Sequence, residues 1–183
     1  MDGGPTGEQT GAPDRAGLME SVVAEHEGGL LRYAARLLNC RSAAEDVVQS
    51  VFIKLFQAWT EGLRPSEHLK AWLYRVTHNE AVDHIRRESR LQDLHARHAV
   101  EQPAACPDGV NCAGPDEKRQ EVLLHLGKLE PREQQVLLLR LEEGLSYKEI
   151  ADVTGRTIGN VGNILHHAVQ KLAVSLKQAG VTS

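Results

Sequence analysis

The chain has few of the features that catalysis or membrane insertion relies on. Aromatic residues make up 4% of its 183 residues, so a function built on stacking has few rings to use. Three Cys form no framework of bridges, which excludes a disulfide-stapled scaffold and fits a reducing compartment. No apolar run is long enough to cross a bilayer, and no charged-then-apolar leader follows Met1. The expected location is therefore cytoplasmic, with no direct membrane insertion. Strand alternation, internal repeats, a phosphate-cradling glycine loop, a nucleophile elbow and a two-histidine metal helix are all missing. Carboxylates are abundant but fall on amphipathic helix faces, so neither an enzyme nor a cofactor is expected. A net charge of −4 excludes a polycation. Any contact with nucleic acid must come from local patches or from delivery by a larger partner.

What is present is helical periodicity, carried by a hydrophobic content of 41%. Residues 1–16 are rich in Gly, Pro and Thr without periodicity and read as a disordered tail. From Leu18 the apolar positions Val22, Leu30, Leu31, Ala34 and Leu37 recur at helical spacing, with Gly28-Gly29 as a local weakness. Asn39-Cys40-Arg41 breaks that helix. Ser42 with Glu45 reads as a capping box for a second, carrying Val47, Val51, Phe52, Leu55, Phe56 and Trp59. After a loop with Gly62 and Pro65, a third runs from Ser66 through Leu69, Trp72, Leu73, Val76, Val82 and Ile85 to the charged run ending at Arg90. Trp72 shares the apolar face and reads as core. Periodicity lapses from Gln92 to Pro115, a linker, and resumes at Asp116. Pro131 sits where a first helical turn tolerates it, ahead of Val136, Leu137, Leu139 and Leu141. The expected fold is all-α: two small helical domains, 17–91 and 116–183, joined by a flexible linker at 92–115.

The most informative stretch runs from Leu145 to Leu172. Ser146 and Glu149 form a capping box for a short helix bearing Ile150, Ala151 and Val153. Gly155 supplies the turn, and Thr157 caps a second helix whose apolar positions are Ile158, Val161, Ile164, Leu165, Ala168 and Leu172. Two helices joined by a short glycine turn make a helix-turn-helix. Its second helix presents Arg156, Thr157, Gly159, Asn160, Asn163 and His167, polar or small residues suited to a major groove. Asn reads adenine bidentately, and Thr with the helix N-terminus holds phosphate.

Ala44-Glu45-Asp46-Val47-Val48-Gln49-Ser50-Val51-Phe52, Ala71-Trp72-Leu73-Tyr74-Arg75-Val76 and Asp83-His84-Ile85-Arg86-Arg87 together resemble region 2 of bacterial sigma factors. Leu129-Glu130-Pro131-Arg132-Glu133 and Glu143-Gly144-Leu145-Ser146-Tyr147-Lys148-Glu149-Ile150-Ala151 resemble region 4. Two regions with a short linker are the layout of the extracytoplasmic-function class. The resemblance implies a factor that binds core RNA polymerase and directs promoter-specific initiation. It implies docking on the largest-subunit clamp helices through Glu45, Asp46, Gln49 and Phe52, and a contact with the subunit flap. The loop from Gly62 to His68, with Lys70, Tyr74, Arg75, Asn79, Arg86, Arg87 and Arg90, then handles the melted −10 strand, Asn79 matching a position that holds a flipped base. Region 4 reads the −35 duplex, and an anti-sigma protein is an expected partner. With so few rings, stacking of ~1–3 kcal/mol per base is available once or twice, which predicts weak melting and near-consensus promoters.

The recognition helix departs from its relatives, carrying Gly162, Asn163, His166 and His167 where Lys or Arg is usual. Fewer fixed cations predict a shallower salt dependence. Gly162 costs the helix ~1 kcal/mol against Ala, either because its backbone approaches DNA or because the site is less tight. Cys106 and Cys112, with His95 and His98 upstream, allow three readings: a zinc site, a regulatory disulfide, or inert loop cysteines. Cys40 reads as a small packed apolar residue. Two other functions remain open, a stand-alone helix-turn-helix regulator and an interaction module that sequesters an anti-sigma protein.

Overall fold

A computed structural model describes residues 15–59, 68–97, 122 and 124–180. The N-terminal unit is three helices: α1 (Arg15–Leu38), α2 (Arg41–Ala58) and α3 (Leu69–Arg97). The C-terminal unit holds α4 (Pro131–Leu141), α5 (Tyr147–Thr154) and α6 (Ile158–Gln178), preceded by helical residues at 122 and 124–126. No strand occurs among the described residues.

Helix α1 runs unbroken through Gly28-Gly29 and ends at Asn39, whose φ of 49° lies in the left-handed region that Asn tolerates. Helix α2 begins earlier than the Ser42/Glu45 pattern implies. Cys40 is the N-cap and makes no side-chain cap bond, so Ser42 lies inside the first turn and Glu45 pairs with Arg41 at 3.0 Å instead. Leu30, Ala34, Val47, Val51, Leu55, Trp59 and Leu73 are buried together. Trp72 is partly buried and packs against this cluster. Phe56, by contrast, is 55% exposed, although helical spacing groups it with the core. Helix α3 continues to Arg97, past the point where the linker is expected to begin. Its last turns expose Leu91 and Leu94, so helical propensity rather than packing carries it there.

In the C-terminal unit Pro131 occupies the first turn of α4, and a capping box forms between Glu130 and Glu133. Leu141 is exposed, because the helix ends there and Gly144, at φ 69°, turns the chain back. The α5 start is as the sequence predicts: Glu149 N–H donates to Ser146 Oγ at 3.3 Å, and Ser146 N–H donates to the Glu149 carboxylate at 2.7 Å. Gly155 takes the left-handed conformation at φ 67°, and Thr157 Oγ1 accepts from Asn160 N–H at 3.3 Å. Val161, Leu165, Ala168 and Leu172 bury the inner face of α6. Ile158, expected among them, is exposed at its first turn.

Cys40 is buried, as expected of a small packed residue, and it is also disulfide-bonded. Cys106, Cys112, His98 and the side chain of His95 lie outside the described residues. No helix among the described residues is long and apolar enough to cross a membrane, and no group of His, Cys, Asp and Glu among them is arranged to hold a metal.

Candidate nucleic-acid interface

The helix-turn-helix places its polar residues along one cleft. Arg156 from the turn and Asn160, Asn163, Ile164, His167 and Lys171 from α6 line it with Arg132 and Glu133 of α4, around a volume of about 350 Å³. Thr157 is spent as the cap, and Gly159 is exposed with open space around its Cα. Gly162 does not face this cleft. A Cβ there would meet only the Tyr147 ring, at 3.8 Å, so the glycine sits against α5. His166 and His167 stack edge to face, and His166 pairs with Gln170.

Arg132 and Lys171 escaped the sequence reading. For Lys171 a signal existed, since it follows His167 by four residues and so shares its helix face. Its ammonium donates to the Glu133 carboxylate at 2.8 Å. Glu133 is buried, and its carboxyl is held below the usual range, first by that Lys171 bond and then by the Glu130 N–H.

Glu45, Asp46, Gln49 and Phe52 are brought together on a second surface. They rim a groove of about 950 Å³ between α1 and α2 whose walls include Met19, Val23, Leu31, Ile53 and Phe56. Ile53 and Phe56 stand 52% and 55% exposed, so carboxylates and an apolar ridge share one open face. Phe56 was misplaced because helical spacing alone does not tell which side of a wide apolar stripe is buried.

The residues of α3 divide. Arg75, Asn79, Arg86, Arg87 and Arg90 are exposed, with Arg86 paired to Asp83 at 3.2 Å. Tyr74 is covered by the turn between α4 and α5, and Lys70, its side chain 39% exposed, is tied to it. Lys70 donates to the Glu143 carbonyl at 2.6 Å, and Tyr74, 1% exposed, hydrogen-bonds the Glu143 carboxylate. Burial and that carboxylate push the Tyr74 hydroxyl well above its ordinary range. His78 is buried, bonded to Tyr33 Oη at 3.0 Å, and lowered by burial and then by Arg156. The loop from Gly62 to Glu67 lies outside the described residues.

Two packed helical units, one bearing a helix-turn-helix with a polar cleft along its second helix, define a protein of the helix-turn-helix DNA-binding class. Residues 22–91 match Sigma-70 region 2, and residues 119–172 match Sigma-70, region 4. The ECF RNA polymerase sigma factor SigL of Mycobacterium tuberculosis is 31% identical over 176 residues, covering 93% of this chain and 96% of that protein. RpoE of Bartonella quintana, solved with the anti-sigma factor NepR, is similar with a TM-score of 0.64 at 22% identity, over 86% of this chain and 96% of that one. CnrH, solved with the cytosolic domain of CnrY, gives a TM-score of 0.57 at 26% identity, over 87% and 88%. The chain belongs to the extracytoplasmic-function (ECF) sigma factors and directs transcription initiation by RNA polymerase.

Proposed function

We propose that the two units divide the work of initiation, in the cytoplasm and without chemistry of their own. The groove between α1 and α2 docks on the clamp helices of the largest polymerase subunit, with Glu45, Asp46 and Gln49 facing basic side chains and Phe52 in the apolar part. The α6 cleft reads the −35 duplex: Asn160 and Asn163 address base edges, while Arg156, Lys171 and Arg132 address phosphates. The exposed cations of α3 track the melted −10 strand around Asn79.

The observation that carries this division is the α1–α2 groove. A regulator working alone on duplex DNA has no use for an open apolar face with a carboxylate rim on the unit that lacks the helix-turn-helix. An anti-sigma protein is a further partner of the same surfaces, a reading supported by the two sigma factors solved with such proteins.

The test is run-off transcription with core polymerase on a genomic promoter library. Start sites sharing an upstream and a downstream element are expected. Duplex binding without transcription would sink this reading in favour of the stand-alone regulator.

A further inference from the structure

Helix α4 begins at the edge of the α6 cleft, and its first turn is dense in charge. Glu130 is the N-cap, and Arg132 and Glu133 follow Pro131 within the next turn. Arg132 and Lys171 are two of the cleft's three cations, Arg156 being the third. Both are already engaged by carboxylates. Arg132 Nη2 lies 2.7 Å from Glu130 Oε2, while Lys171 Nζ lies 2.8 Å from Glu133 Oε1 and 3.8 Å from Glu130 Oε1.

The two carboxylates are not equivalent. Glu133 is buried and accepts the Glu130 N–H at 3.2 Å, so it belongs to the packing of α4 against α6. Glu130 is half-exposed, as are the Arg132 and Lys171 side chains it faces. The start of α4 does not depend on its charge, because its main-chain carbonyl accepts the N–H groups of Glu133 at 2.9 Å and Gln134 at 3.0 Å. What its charge does is neutralise cations at the mouth of the cleft.

We propose that Glu130 is a specificity-determining residue of the −35 site. As counter-ion to Arg132 and Lys171 it keeps phosphate contact too weak to hold a duplex without the base contacts of Asn160 and Asn163. This rests on the reading of the α6 cleft as the −35 site, and it deepens that reading by setting how the site divides affinity between backbone and bases.

Phosphate contacts are blind to sequence, and their strength comes from cations that replace the counterions of the duplex. A cation bonded to a carboxylate must give up that bond first. Glu130 also orders the two cations, which by itself favours binding, so the sizes of the two effects decide the sign. An exposed pair contributes at most about fivefold through such ordering. A phosphate seated on Arg132 would stand beside the carboxylate, and two like charges about 5 Å apart at a protein surface oppose each other by about tenfold or more. Repulsion wins. Lys171 stays on Glu133 when Glu130 is neutral, so the gain runs mainly through Arg132. A duplex bound through correct bases is already saturated and gains little, whereas one with the wrong bases gains occupancy.

The full chain, without polymerase, is titrated onto a labelled mixed-sequence duplex and read by fluorescence anisotropy between about 50 and 200 mM salt. Glu130→Gln removes the charge and keeps a capping oxygen. Glu130→Ser removes it with a favoured N-cap residue, so a folding fault in one variant is exposed by the other. Both should bind about threefold to tenfold tighter at the lower salt, with log affinity falling against log salt more steeply by about one phosphate contact. Adding Arg132→Gln should return both to the parent level. Glu20→Gln, which removes the same charge from an exposed position on α1, should change neither readout. With core polymerase at concentrations that saturate the intact promoter, Glu130→Gln should raise run-off only from a promoter whose −35 element is scrambled. The proposal is overturned by unchanged affinity in both variants, by a gain without a steeper slope, by a gain that survives loss of Arg132, or by equal effects on the two promoters. Absence of promoter-directed transcription by the parent would sink the −35 reading and leave the mixed-sequence outcomes standing, so the two failures are distinguishable.

Discussion

Replacing Lys171 with Met tests whether the α6 cleft, proposed to read the −35 duplex, is held open by one ion pair. Lys171 Nζ lies 2.8 Å from Glu133 Oε1 and 3.8 Å from Glu130 Oε1, and Glu133 is 4% exposed. Breaking a fully buried pair costs about 3–5 kcal/mol, and an exposed pair is worth about 0–1 kcal/mol. Here the carboxylate is buried while the lysine side chain is 52% exposed, and the Glu130 N–H bond at 3.2 Å survives. The expected loss is therefore about 1–2 kcal/mol in urea unfolding at pH 7. The pH dependence has a definite sign. Glu133 sits below its ordinary value of 4.5 when folded, chiefly through Lys171. Its stabilisation is present above that pH and disappears as pH falls through the lower folded value. The gap between parent and Lys171→Met should thus narrow steadily below pH 4.5. A second readout is DNA: losing one phosphate contact should shallow the salt dependence of duplex binding by about one counterion. A gap that is equal at neutral and acid pH would refute the pairing argument, and an unchanged salt slope would remove Lys171 from the interface.

Three further outcomes follow from the same geometry. Gly162→Ala should stabilise the chain by about 0.5–1 kcal/mol, because its Cβ meets Tyr147 at an ordinary 3.8 Å, and should leave duplex binding unchanged; weakened DNA binding would show that the glycine admits a backbone to DNA after all. Phe56→Glu, at a half-exposed position of the α1–α2 groove, should lower affinity for core polymerase at least about tenfold while leaving the melting temperature within a degree or two. Unimpaired polymerase binding would move the docking face elsewhere. His78 and His26 are both lowered by burial, so unfolded chains take up their protons first as pH drops below 6.5. Stability should fall from that pH downward through the folded values, and substituting Gln at both positions should flatten the denaturation midpoint between pH 7 and 5.

Much of the fold was legible because local chemistry decides it. The Ser146/Glu149 box, the positive φ at Gly155 and the Thr157 cap each satisfy backbone groups within a few residues, so their spacing alone predicts them. The same holds for Pro131 at the start of α4. Where reading failed, the competition was between two locally acceptable answers. Ser42 offered a cap, but the helix began at Arg41 with Glu45 paired to it. Phe56 and Ile158 lay on the predicted apolar stripes yet are half-exposed, because a stripe is wider than the face that is buried.

The candidate sites divide in the same way. Asn160, Asn163 and His167 converge because one helix carries them at spacings near its own repeat, with Arg156 in the turn just before it, and helical periodicity is written in the chain. Glu45, Asp46, Gln49 and Phe52 share a face for the same reason. The sequence by itself therefore determined the family, the helices and the faces within each helix. Only the tertiary structure decided what lies between helices: Arg132 joining Lys171 across the cleft, Gly29 opening a slot for Glu143, Tyr74 lying buried and Lys70 bonded to the Glu143 carbonyl. These depend on contacts between residues far apart in the chain, whose energies arise from packing and desolvation and leave no periodic trace.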